Sequence, residues 1–75
     1  MTAYQVCLID EPNEELLYTG DEGFVIEIDG QFEAEFPTLE EALTVAADWA
    51  DCDPDDFTQD AHLDRHLRVC WTYET

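Results

Sequence analysis

Between Phe24 and Phe36 apolar and acidic side chains alternate on both sides of Asp29-Gly30, and a helix cannot use that pattern. Phe24, Ile26 and Ile28 interleave with Val25, Glu27 and Asp29; Phe32, Ala34 and Phe36 interleave with Glu33 and Glu35. A period of two belongs to a strand with one buried face, and Asp-Gly between two such runs signals a hairpin. The register can be argued further. With a simple two-residue loop Ile26 would face Glu33, and a one-residue slip inverts every side chain. A three-residue loop with Gly30 left-handed in a G1 bulge instead places Phe24 and Ile26 with Phe32 and Ala34, which is the expected arrangement.

The flanking segments extend this hairpin into a domain. Tyr4 to Ile9 reads as a first strand, closed by the turn cluster Asp10-Glu11-Pro12-Asn13. Leu16, Leu17 and Tyr18 form a short strand or the end of that loop. Pro37-Thr38-Leu39-Glu40-Glu41 is a helix start, with Thr38 as N-cap, Glu41 closing a capping box and acids complementing the dipole. Leu39, Ala42, Leu43, Ala46, Trp49 and Ala50 then make one apolar stripe, and the helix ends near Asp51. Asp53 is placed to cap one further turn with Pro54 at its first position. In the last strand Leu67, Val69, Trp71 and Tyr73 alternate with His66, Arg68, Cys70, Thr72 and Glu74. The expected fold is α+β: one domain, residues 1–75, with an antiparallel sheet of three to four strands and one main helix on one face, in the order β-(β)-β-β-α-β.

Charge narrows what such a domain can bind. Twenty Asp and Glu stand against two Arg and no Lys, a formal net charge of -18 over 75 residues. Self-repulsion on this scale opposes compaction, and a few surface lysines would relieve it. Hydrophobic residues still reach 45%, which separates the chain from disordered acidic tails. Direct nucleic-acid binding is excluded, because affinity for phosphate comes from Lys and Arg. No basic segment precedes an apolar run and no stretch has the length of a membrane span, so the expected location is cytoplasmic, the host cytoplasm if the gene is a phage's. Cys7, Cys52 and Cys70 are odd in number and widely spaced, and are expected to be reduced thiols serving as small apolar filler.

The acids fall into groups. Glu27, Glu33 and Glu35 are expected to project from the hairpin on the face away from the helix, same-strand neighbours about 6.6 Å apart and cross-strand neighbours about 5 Å apart. Glu40, Glu41 and Asp48 line a helix flank, and Asp51, Asp53, Asp55, Asp56 and Asp60 form a loop cluster. Together they are the expected partner-binding residues.

Other chemistry is poorly served. Asp51, Asp53 and Asp55 have calcium-loop spacing, but Asp56 stands where a Gly belongs, Pro54 interrupts the run and His62 replaces the bidentate Glu. His62 and His66 have a metal-ligand spacing only if the segment is helical. No phosphate loop, nucleophile motif or pair of carboxylates in a pocket is present, so no enzyme, metal site or cofactor is expected.

In size, charge, absence of Lys and strand-hairpin-helix-strand order, the chain resembles small acidic phage inhibitors, chiefly anti-CRISPR proteins and other DNA mimics. The resemblance implies an inhibitor that binds a basic nucleic-acid-binding protein, such as a CRISPR effector complex, and blocks DNA or RNA access. Gly23 to Phe32 followed by Pro37-Thr38-Leu39-Glu40-Glu41-Ala42-Leu43 is similar to the core of HicB-type antitoxins, which implies neutralisation of a small basic ribonuclease. A third reading is a halophile's cytosolic domain, acidic because its solvent requires it.

Overall fold

The computed structural model describes residues 1–9, 12, 19–20, 23–64 and 67–75. The described chain runs β1 (Ala3–Leu8), β2 (Phe24–Ile28), β3 (Gln31–Phe36), α1 (Leu39–Ala50), a 3₁₀ turn (Pro54–Asp56), β4 (Thr58–Gln59) and β5 (Cys70–Glu74). The strands form one five-stranded antiparallel sheet in the order β3-β2-β1-β5-β4, larger than the three to four expected. The extra strand, β4, is two residues long and too short to leave a pattern in sequence. Leu16 to Tyr18 lie outside the described residues.

The hairpin reaches its register by a different device from the expected loop. Ile28 pairs with Gln31, so the turn is the two residues Asp29 and Gly30, both left-handed at φ 52 and φ 83. That is the conformation Asp-Gly supplies in a type I′ turn. The Asp29 carboxylate also accepts from the Ala3 N–H at 2.9 Å, while its N–H donates to the Ala3 carbonyl at 2.8 Å, tying the turn to β1. The phase is corrected inside β3, where Glu27 pairs with Phe32 but Ile26 pairs with Ala34. Glu33 is the extra residue of a bulge. Phe32 therefore sides with Glu27, Val25 and Cys7 and packs with the latter two, away from the helix.

Helix α1 begins at the expected N-cap and ends at the expected residue, but Glu41 does not close the expected capping box, of which only the Thr38 half forms. Thr38 is extended and its hydroxyl accepts from the Glu41 N–H at 3.2 Å, satisfying one of the helix's free donors. Asp51 turns left-handed at φ 57 and closes the helix, with the Cys52 N–H donating to the Ala47 carbonyl at 2.9 Å. Its inner face carries Ala42, Ala46, Ala47 and Ala50, all buried. Small side chains let the helix approach the sheet closely, over Val6 and Ile26, with Phe24, Phe36, Trp71 and Tyr73 around them. Trp49, expected in this stripe, is 44% exposed. The buried face is turned toward Ala47 instead.

β5 starts later than the alternation suggested. Leu67 is left-handed at φ 62 and 78% exposed, and the regular strand begins only at Cys70, preceded by a single backbone bond from the Leu8 N–H to the Val69 carbonyl. Among the described residues, no helix is long and apolar enough to cross a membrane.

Candidate functional site

Two open cavities lie on one side of α1, each closed on its other wall by the 3₁₀ turn. The first, about 540 Å³, is lined by Leu39, Glu40, Leu43 and Thr44 of α1 and by Pro54 and Asp55 of the turn. The second, about 460 Å³, is bounded by Asp48, Asp51, Asp53 and Asp56, with Cys52 and Tyr73 between them. Leu39, Leu43 and Ala47 follow one i, i+4 row of the helix, and Glu40, Thr44 and Asp48 follow the next, so the cavities succeed one another along the same flank. The result is a groove that is apolar toward the start of α1 and acidic toward its end.

The sequence of the turn builds the second wall. Pro54 occupies the first helical position, where its missing N–H costs nothing, and the Asp53 N–H donates to Asp56 Oδ2 at 3.1 Å. Phe57 behind it is only 7% exposed and contacts the Tyr73 ring at a centroid distance of 5.7 Å, anchoring the turn to β5. Burial pushes the Cys52 thiol above its ordinary range, and the charges of Asp56, Asp53 and Asp51 push it further. Cys52 is therefore a neutral thiol near pH 7 and a poor nucleophile.

Of the expected partner-binding residues, Glu40, Asp48, Asp51, Asp53, Asp55 and Asp56 line this groove. Glu41 is exposed in the first turn of α1 but outside both cavities. Asp60 is exposed beyond β4 and accepts from the Thr72 hydroxyl at 3.2 Å. The expected acidic row on the sheet does not exist as such. Glu33 is exposed at the bulge, and Glu35 is half-buried and accepts from the Thr19 N–H at 2.6 Å. Glu27 is 2% exposed.

Glu27 is buried because Arg68 comes to meet it. The guanidinium donates from Nη1 to Glu27 Oε2 at 2.6 Å and from Nη2 to Oε1 at 3.2 Å, a two-point pair. It also donates from Nε to Asp64 Oδ2 at 2.9 Å, while the Arg68 N–H donates to Asp64 Oδ1 at 2.8 Å. Burial alone would lower the Arg68 pKa, but the hydrogen bonds to Glu27 and Asp64 outweigh it and hold the charge firmly. No buried side-chain polar atom is left unpaired among the described residues. The far face of the sheet is thus a covered ionic cluster, not an open acidic plane.

Beside that cluster Cys7 and Cys70 form a disulfide, contrary to the reduced state expected of them. They are direct partners across β1 and β5, with Cα atoms 4.1 Å apart. Leu8 and Val69, the next pair, are hydrogen-bonded, so the cysteines occupy a non-hydrogen-bonded site, where side chains lie closest. Both sulfurs and an Asp64 oxygen lie within 4.8 Å of one another, the one such group of three among the described residues. As a metal site this set fits poorly, since the sulfurs are bonded together and both Asp64 oxygens already accept from Arg68. Asp51, Asp53 and Asp55 do not converge as calcium ligands would: Asp55 faces the apolar cavity and the other two face the acidic one. His62 is exposed, and His66 lies outside the described residues.

Leu39 and Leu43 pack against the core as the apolar stripe predicts, and their half-exposed surfaces also line the first cavity with Pro54, which the sequence pattern alone does not reveal. No family model, curated protein or solved structure matches the chain. Geometry and charge alone therefore carry the functional argument.

Proposed function

We propose that this protein is an acidic, anti-CRISPR-like inhibitor: it binds the basic nucleic-acid-binding surface of another protein, such as a bacterial defence complex, and blocks access of DNA or RNA. One observation carries the reading. Arg68, one of only two arginines in the chain, is consumed internally by Glu27 and Asp64, and among the described residues no exposed acid of α1 or the 3₁₀ turn has a cationic partner. Exposed carboxylates left uncompensated on a well-packed domain create a long-range field that steers a basic surface toward them and repels nucleic acid. Inhibition is then competition for the same lysines and arginines.

The test is displacement of labelled DNA or RNA from purified basic nucleic-acid-binding proteins, a guide-loaded CRISPR effector among them, across a salt series. Competition that weakens steadily as salt rises supports the proposal. Absence of competition at low salt across the panel would reject it.

A further inference from the structure

We infer that the groove between α1 and the 3₁₀ turn is a docking site for a basic segment of a partner protein that carries an apolar side chain a few residues from a lysine or arginine. The inference rests on the proposed function and sharpens it: binding would be read at one two-part groove, not spread over all acidic surface. The two halves ask for different chemistry. Leu39, Leu43 and Pro54 offer apolar surface on which an apolar side chain of the occupant would leave water. Asp48, Asp51, Asp53 and Asp56 surround the other cavity and would receive a cation from several sides. Glu40 and Asp55, which line the same cavity, complement further positive charge along the segment.

Charge complementarity selects the occupant. A nucleic acid is repelled, an acidic or neutral peptide leaves the aspartates uncompensated, and a second copy of this chain would bring another -18 to the same place. The residues that α1 and its C-terminal end contribute to the two halves are centred about eight positions apart, which at 1.5 Å per residue is roughly 12 Å. An extended chain covers that distance in about three to four residues. A segment with its apolar and cationic side chains at that spacing reaches both cavities at once.

The experiment is an NMR titration of the isotopically labelled full chain, at physiological ionic strength, with two synthetic peptides of equal positive charge. One carries leucines about three residues from its lysines; the other has serine in their place. The leucine peptide should bind about tenfold more tightly, since one leucine side chain leaves water, and should shift the amides of Leu43, Thr44, Asp48 and Asp51 most. Thr44→Arg, at an exposed position, should abolish the preference for leucine, whereas Glu33→Lys, on the remote β3 bulge, should preserve it. Asp48→Asn should weaken both peptides equally, and a thermal melt of each variant checks folding.

Equal affinity for the two peptides, or a leucine preference that survives in Thr44→Arg, overturns the groove. If the peptides bind equally while nucleic-acid competition persists, the inhibitor reading stands and the groove falls. If the leucine peptide binds in the groove but no basic nucleic-acid-binding protein is inhibited, the groove stands and the inhibitor reading falls.

Discussion

Arg68 is the residue on which most of the far sheet face depends. Its guanidinium meets Glu27 across 41 positions of sequence and Asp64 across four, so removing it strands a buried carboxylate. Arg68→Met should therefore cost about 3–5 kcal/mol in denaturant unfolding. A companion variant with Glu27→Leu as well should regain most of that loss, because replacing a buried ion pair by apolar side chains is often neutral. Nothing local to Glu27 reveals this partner. In the alternating hairpin it occupies a position indistinguishable from that of Glu33, and the two are separated by the bulge, which leaves Glu33 exposed, and by the return of the chain after residue 60, which brings Arg68 to Glu27. At Cys52 the chemistry is a matter of proton affinity. Its raised pKa means that thiolate appears at higher pH than in a free cysteine, so alkylation should rise with a midpoint above that of a free cysteine measured alongside. Asp53→Asn, which removes one of the charges that raise it, should shift that midpoint downward.

Helix α1 was the most legible element, since capping, periodicity and termination all act within a few residues. Thr38→Ala should lower stability by about 1 kcal/mol in a thermal melt. The end of the helix contains a local conflict. Asp51 adopts a left-handed conformation that glycine prefers, and it places a negative charge beside the negative end of the helix dipole. Asp51→Gly should stabilise the domain by about 1 kcal/mol while weakening attachment of a basic partner, two effects of opposite sign from one substitution. The hairpin was legible in its faces but not in its mechanism. Both a three-residue loop and a two-residue loop with a later bulge restore the apolar phase of Phe24, Ile26 and Ala34, and they differ in the side taken by Phe32. The final strand was overextended because Leu67 fits the alternation, although its backbone has already left the strand region.

Taken as a whole, the molecule balances a diffuse repulsion against a few strong constraints. Added salt should raise the melting temperature by screening the excess charge, while the same salt should weaken the proposed competition for a basic protein. A cooperative melt that survives in dilute buffer would separate this protein from a halophilic one, which should unfold there. The disulfide closes a loop of 63 residues, and such a loop lowers the entropy of the unfolded chain by an amount worth about 4 kcal/mol. Cys7→Ser with Cys70→Ser, or a reducing agent, should lower the denaturant midpoint accordingly. Widely spaced cysteines gave no hint of this, since only the pairing of β1 with β5 makes them neighbours.

That pairing also dictates when the protein can form. β1 sits in the middle of the sheet, between β2 and β5, and Thr2 and Thr75 exchange hydrogen bonds at its end. As the ribosome makes the chain, β1, β2, β3 and α1 can associate early, but one long edge of β1 stays unsatisfied until β5 has emerged. Contacts this distant in sequence close slowly. During that interval the nascent chain carries an open strand edge beside an unpaired Cys7, and its surplus of negative charge opposes the addition of neighbouring copies to that edge.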